Sequence, residues 1–161
     1  MRLVIAATLG LLAVRAQAED LAERAARSYA LDTSGSTATL PVGGSGTLAV
    51  ALRFQPGVHA QTQAPLRMAL SASQGIALAR DRLGWFDVVG PRTGSPRLEV
   101  AFRATAPGAQ TVKAQLEFFA CSDSWCVKQE REVVLSVVVQ GGPAVGTGPP
   151  STPGTTPGPG D

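Results

Sequence analysis

From Thr37 onward, apolar and polar residues alternate with a period of two, the spacing of half-buried β-strands. Ala38, Leu40 and Val42 share one face before Gly43-Gly44-Ser45-Gly46 turns the chain. Leu48, Val50, Leu52 and Phe54 follow and are stopped by Gln55-Pro56-Gly57. After Val58-His59-Ala60 come Leu66, Met68 and Leu70, a weaker Ile76 and Leu78 run, and then Leu98, Val100 and Phe102. Pro107-Gly108 leads into two longer runs, 112–118 and 131–137. About seven strands over roughly a hundred residues, divided by Gly/Pro turns, predict one antiparallel β-sandwich over residues 37–140. A chain of that size can build its own core. Leu48, Val50, Leu52, Phe54, Val100, Phe102, Leu116, Phe118, Leu135 and Val137 are its expected inward set.

The last two runs flank a short polar loop and so predict a β-hairpin. Both cysteines of the protein, Cys121 and Cys126, sit where its strands meet the loop, together with three of the eight aromatic residues. Facing residues of an antiparallel pair have Cα atoms about 4.5–5.5 Å apart, within disulfide range. The alternation places Cys121 with Lys113, Gln115, Glu117 and Phe119, and Cys126 with Lys128, Glu130 and Glu132. Both sulfurs are therefore expected on the mainly polar face, within reach of another protein.

Residues 1–18 read as a secretory signal peptide, with Arg2, an apolar stretch from Leu3 to Val14 and a small-x-small site at Ala16-Gln17-Ala18. The apolar stretch is too short to span a bilayer, and no later segment is long enough, so no membrane insertion is expected after cleavage. The expected location is the periplasm, with an extracellular site as the alternative. Removal of Arg2 and Arg15 leaves twelve basic against the twelve acidic residues, so the formal +2 of the whole sequence does not mark a nucleic-acid or anionic-lipid partner. Residues 19–36 read as a loosely held leader, with a capping box at Asp20-Leu21-Ala22-Glu23 and an Ala-rich stretch to Ser28 that suits a short helix. The tail 141–161 holds seven glycines and six prolines and is expected to be disordered.

Candidate chemistry is sparse. His59 is the only histidine, and with a C-x4-C pair it lacks the close ligand spacing of zinc sites; a local packing or capping role is expected, with no metal and no cofactor. Asp87, Asp123, Glu130 and Glu132 show no paired acid–base spacing, and there is no nucleophile elbow, phosphate loop or metalloprotease motif. What remains is the cysteine pair.

The segment from Leu48 to Val139 resembles the amino-terminal, immunoglobulin-like periplasmic domain of the DsbD-type thiol:disulfide interchange proteins. The resemblance rests on Leu52-Arg53-Phe54-Gln55-Pro56-Gly57-Val58-His59, on Pro107-Gly108 before the hairpin, and on Phe119-Ala120-Cys121-Ser122-Asp123-Ser124-Trp125-Cys126. It implies an immunoglobulin-like β-sandwich with a Cys-bearing hairpin, and Cys121 and Cys126 as a redox pair. That pair would be reduced by a thioredoxin-like protein or domain, fed by a membrane electron conduit, and would then reduce exported partners. It also implies that an incoming partner attacks Cys126, and that a cap loop shields the pair. The best counterpart of that loop is Trp85-Phe86-Asp87-Val88-Val89-Gly90, so Trp85, Phe86 and Val88 join Phe119 and Trp125 as cap or docking candidates. The sequence departs from the family in having Val127-Lys128-Gln129 after the second cysteine, where two prolines often stand.

Two readings follow. The first is a monomeric thiol–disulfide exchange module, a protein-disulfide reductase component. The second is an exported β-sandwich that binds a protein or ligand and keeps the Cys121–Cys126 bridge only as a staple.

Overall fold

The computed structural model of the chain describes residues 20–91 and 94–141. The expected signal peptide, 1–18, and all of the expected tail beyond Gly141 lie outside the described residues. Within them the chain is all-β: ten strands in two sheets that face each other across one core, preceded by a helix, α1, at residues 20–27.

The four-stranded sheet runs β1 (Tyr29–Asp32), β3 (Ser45–Phe54), β8 (Arg97–Ala104), β6 (Ile76–Leu78). The second sheet runs β2 (Thr39–Pro41), β10 (Cys126–Gln140), β9 (Gly108–Cys121), β5 (Arg67–Ala72), β7 (Arg82–Gly84), and β4 (His59–Ala60) pairs with β9 near its end. Alternation decides which side chains meet between the sheets. Leu48, Val50, Leu52, Val100, Phe102, Leu116, Phe118 and Val137 are buried, while Phe54 and Leu135 are partly buried against the same core. All ten expected core positions thus point inward.

Three features differ from the sequence expectation. Pairing is antiparallel except at one place: β2 joins β10 in parallel, through Val138–Gln140. The chain crosses from one sheet to the other between β1 and β2, and a strand arriving that way runs in the same direction as β10. Second, part of the expected leader is built into the sandwich. β1 pairs with β3 from Tyr29↔Phe54 to Asp32↔Ala51, Ala25 is fully buried, and Gln55 Nε2 donates to the terminal Arg27 carbonyl of α1 at 3.0 Å. Third, β3 is buried on both faces from Leu48 to Leu52, because the segment after β1 folds back over it and Ser36 Oγ bonds both the amide and the carbonyl of Ala49. The short alanines at 49 and 51 leave room for that segment, which a run of simple alternation does not disclose.

β9 and β10 form the longest pair, in unbroken register from Cys126↔Cys121 to Val139↔Gly108. Beyond β10, β2 covers only the Val138–Gln140 end. Among the described residues no strand pairs with that edge from Cys126 to Val137. The amino-terminal end of β10, where Cys126 lies, is therefore an open edge.

Candidate functional site

The hairpin loop brings the two cysteines together. Ser122 N donates to Trp125 O at 2.8 Å, which makes 122 and 125 a hydrogen-bonded pair of the ladder. By alternation Cys121 and Cys126 form the next, non-hydrogen-bonded pair, the kind with the closer Cα approach. They are joined by a disulfide with Cα atoms 4.0 Å apart.

The two sulfurs do not share one environment. Cys126 follows the expected pattern: it is exposed, with Lys128, Glu130 and Glu132 on the same outward face. Cys121 does not. It has the outward parity of Phe119 and Glu117, yet is only 3% exposed. The expectation of two reachable sulfurs is corrected to one. The reason lies in strand position: β9 is internal, flanked at Cys121 by β10 on one side and β4 on the other, whereas Cys126 opens a strand at the sheet edge.

β4 is delivered by the turn Gln55-Pro56-Gly57-Val58. Val58 N donates to Gln55 O at 3.1 Å, Pro56 occupies the second position and Gly57 the third with φ 80°, a type II turn that favours glycine there. Two residues later His59 stands in register opposite Cys121. Gln61 N donates to Phe119 O at 3.0 Å, so by alternation His59 and Cys121 are a hydrogen-bonded pair with side chains on one face. The sheet therefore presents Cys126, Cys121 and His59 side by side across three strands. The alternating pattern signals none of this, since the pairing of β4 with β9 links residues about sixty apart in sequence; the Pro-Gly turn just before His59 is the local clue.

The charges beside the pair are largely spent on one another. Lys128 Nζ lies 2.7 Å from Glu130 Oε1 and 3.1 Å from Glu117 Oε2, and Arg67 approaches Glu117 at 3.9 Å. Hydrogen bonds to Glu130 and then Glu117 raise the Lys128 ammonium above its ordinary range, and Lys128 holds the Glu130 carboxyl below its own. Lys128 is thus a shared cation rather than one aimed at Cys126.

The cap and docking candidates scatter. Trp85 is half-buried, its Nε1 donating to Ala64 O at 2.7 Å, and it packs against the core. It begins a single 3₁₀ turn, Trp85–Asp87, in which Asp87 accepts from Gly84 N and pairs with Arg80. Phe86 stands 88% exposed, a side chain projecting from the surface rather than one pressed over a sulfur. Val88 bridges to Leu98 in the opposite sheet. From this loop it is Gly94 that reaches the strand beside the disulfide, its carbonyl accepting from Ala60 N at 2.7 Å. Phe119 is half-buried opposite Lys128. Trp125 is half-buried and, with Ser122, Asp123 and Ser124, forms one wall of a cleft of about 520 Å³. Arg24, Arg27 and Ser28 of the α1 end and the 55–58 turn form the other walls. Among the described residues no three His, Cys, Asp or Glu side chains converge as a metal site, and no helix is long and apolar enough to cross a membrane.

No protein-family model matches the sequence, and no curated protein does. Among solved structures the chain is similar to domains 4 and 5 of the S-layer protein SbsC, at 15% identity and a TM-score of 0.36. The match covers 69% of this chain and 53% of that one, so the chain spans about half the length of that structure.

Proposed function

We propose that the protein is an exported thiol–disulfide exchange module that carries reducing equivalents through the Cys121–Cys126 pair, between a thioredoxin-like donor and other exported proteins. The observation that carries this reading is the asymmetry of the pair: Cys126 is exposed at an open strand edge while Cys121 is 3% exposed beside it. Exchange requires a nucleophile to reach one sulfur in line with the bond while the other leaves. An exposed attack point backed by a sheltered leaving sulfur meets that requirement.

The bridge also contributes little as a staple. A loop this short lowers unfolded-chain entropy by only about 2 kcal/mol. It joins strands already in register over fourteen residue pairs, above a continuous core.

The test is the equilibrium reduction potential of the pair, measured in a dithiothreitol redox buffer, together with reduction by a thioredoxin-like protein. A potential above about −300 mV with reversible reduction by such a protein is expected. A potential well below that value, with no reduction of the native protein, would leave the bridge a staple in a binding domain.

A further inference from the structure

We propose that His59, as an imidazolium, stabilises the Cys121 thiolate as that sulfur leaves. The inference rests on the exchange reading above and assigns a proton-bearing partner within that site. His59 is in register opposite Cys121, on the side of β9 away from Cys126, and side chains of such a pair share a face with Cβ atoms about 5 Å apart. The imidazole is exposed and, among the described residues, makes no hydrogen bond or ion pair of its own. Its position is also confined. A Cβ on Gly94 would come within 2.5 Å of His59 Cβ, so glycine there lets the two chains close around the histidine.

The charged groups of this face nearest Cys121 in register are Glu117 on β9, Lys128 and Glu130 on β10, and Arg67 on β5, all engaged with one another; Lys113, Glu132 and Arg82 lie farther along the sheet, and Asp123 lies in the hairpin loop. None of the cations is committed to Cys121. A thiolate beside an imidazolium is stabilised, and a more acidic leaving thiol departs faster.

The step balances as follows. A thiolate of a dithiol protein attacks Cys126 Sγ and forms a mixed disulfide. The Cys121–Cys126 bond breaks, and its electron pair leaves on Cys121 Sγ, where His59 stabilises the charge and supplies a proton. The second thiol of the partner, deprotonated, then attacks the partner's own sulfur in the mixed disulfide. Cys126 is released as a thiolate and protonated by solvent. The partner is oxidised to a disulfide, and the pair gains two electrons and two protons.

The experiment follows reduction of the full-length protein's disulfide by dithiothreitol from pH 6 to 9, with rates expressed per reductant thiolate. At pH 6 the His59→Gln variant should be reduced roughly three- to tenfold more slowly than wild type. The difference between the two should shrink as pH rises toward 9, because the effect requires the imidazolium and not the neutral ring. His59→Lys, which keeps the cation, should remain fast at both ends of the range. Equal rates for wild type and His59→Gln at pH 6, or a His59→Lys variant as slow as His59→Gln throughout, would overturn the role of His59 and leave the exchange reading standing. A wild-type disulfide that resists dithiothreitol in the native state would overturn both.

Discussion

The Tyr29 hydroxyl donates to Gln129 Oε1 at 3.1 Å, tying the first strand of the domain to the last across 100 positions of sequence. Gln129 is one of only two buried polar side chains among the described residues, at 5% exposure, and it faces the core three residues after Cys126. Its amide also receives Arg131 Nη2 at 3.3 Å, and the Arg131 guanidinium lies 5.4 Å from the Tyr29 ring centre. The Tyr29 ring meets Phe118 edge-on, with centroids 4.9 Å apart. Burial pushes the Tyr29 phenol above its ordinary range, with Arg131 opposing, so it stays a hydrogen-bond donor at neutral pH.

Removing that donor is expected to cost stability. Tyr29→Phe keeps the ring packing but removes one of the two hydrogen bonds accepted by Gln129 Oε1, leaving the one from Arg131, which costs about 0.5–1.5 kcal/mol. Urea denaturation should show a lower midpoint with an unchanged slope. Tyr29→Ala, which also removes the ring from Phe54 and Phe118, should cost about 3–5 kcal/mol.

The exposed Cys126 should be the sulfur that is attacked. A Cys121→Ser variant keeps Cys126 free and is expected to trap a thioredoxin-like partner as a mixed disulfide, visible on a non-reducing gel. Cys126→Ser, which leaves only the sheltered Cys121, should trap little. The reverse pattern would assign the attack to Cys121. Both variants should stay folded, losing about 2 kcal/mol from the bridge and somewhat more at position 121, where a serine hydroxyl enters a buried site.

On the exchange reading, Trp125 is a docking contact for a macromolecular partner and not for a small reductant. It lines the cleft bounded by Arg24 and the 55–58 turn and directly precedes Cys126 in sequence. Trp125→Ala is expected to slow reduction by a thioredoxin-like protein roughly tenfold, the 1–2 kcal/mol of an aromatic contact residue. Reduction by dithiothreitol should stay within about twofold of wild type on the same argument. Equal slowing with both reductants would place the effect in the fold of the loop rather than in docking.

Acid should loosen β1. Asp32 accepts hydrogen bonds from Ser34 and from Arg53 across the β1–β3 pair, and these hold its carboxyl far below the usual carboxylate range. A folded-state value depressed in this way means that the unfolded chain binds the proton first. The contribution of Asp32 is therefore complete above the ordinary Asp value of 3.8 and is lost as pH falls below it. Thermal melts of wild type should decline from about pH 4 to pH 2, the span of ordinary carboxylate titration. Asp32→Asn should start lower at neutral pH and decline less over that span.

The sandwich and its core were legible in the chain because a half-buried strand needs only a local signal. Leu116, Phe118, Val137 and their counterparts alternate with polar residues, and a two-residue period admits one inward face whatever the partner strand is. The hairpin bridging Cys121 and Cys126 was equally local, since strands, loop and both cysteines lie within one short stretch. Parity, however, says only to which side a residue points. It does not say what lies beyond, and so it assigned equal exposure to two sulfurs that differ.

That difference belongs to the tertiary structure. β4 reaches β9 from sixty residues away, making Cys121 internal and setting His59 beside it, while β2 stops short of the Cys126 end of β10. The same holds for the start of the domain, where Tyr29 reads as part of a loosely held leader until Phe54, Phe118 and Gln129 assemble a place for it. Local alternation sets the face of each strand through backbone geometry. Which neighbours occupy that face is set by long-range pairing, whose stabilisation appears only once the two sheets close.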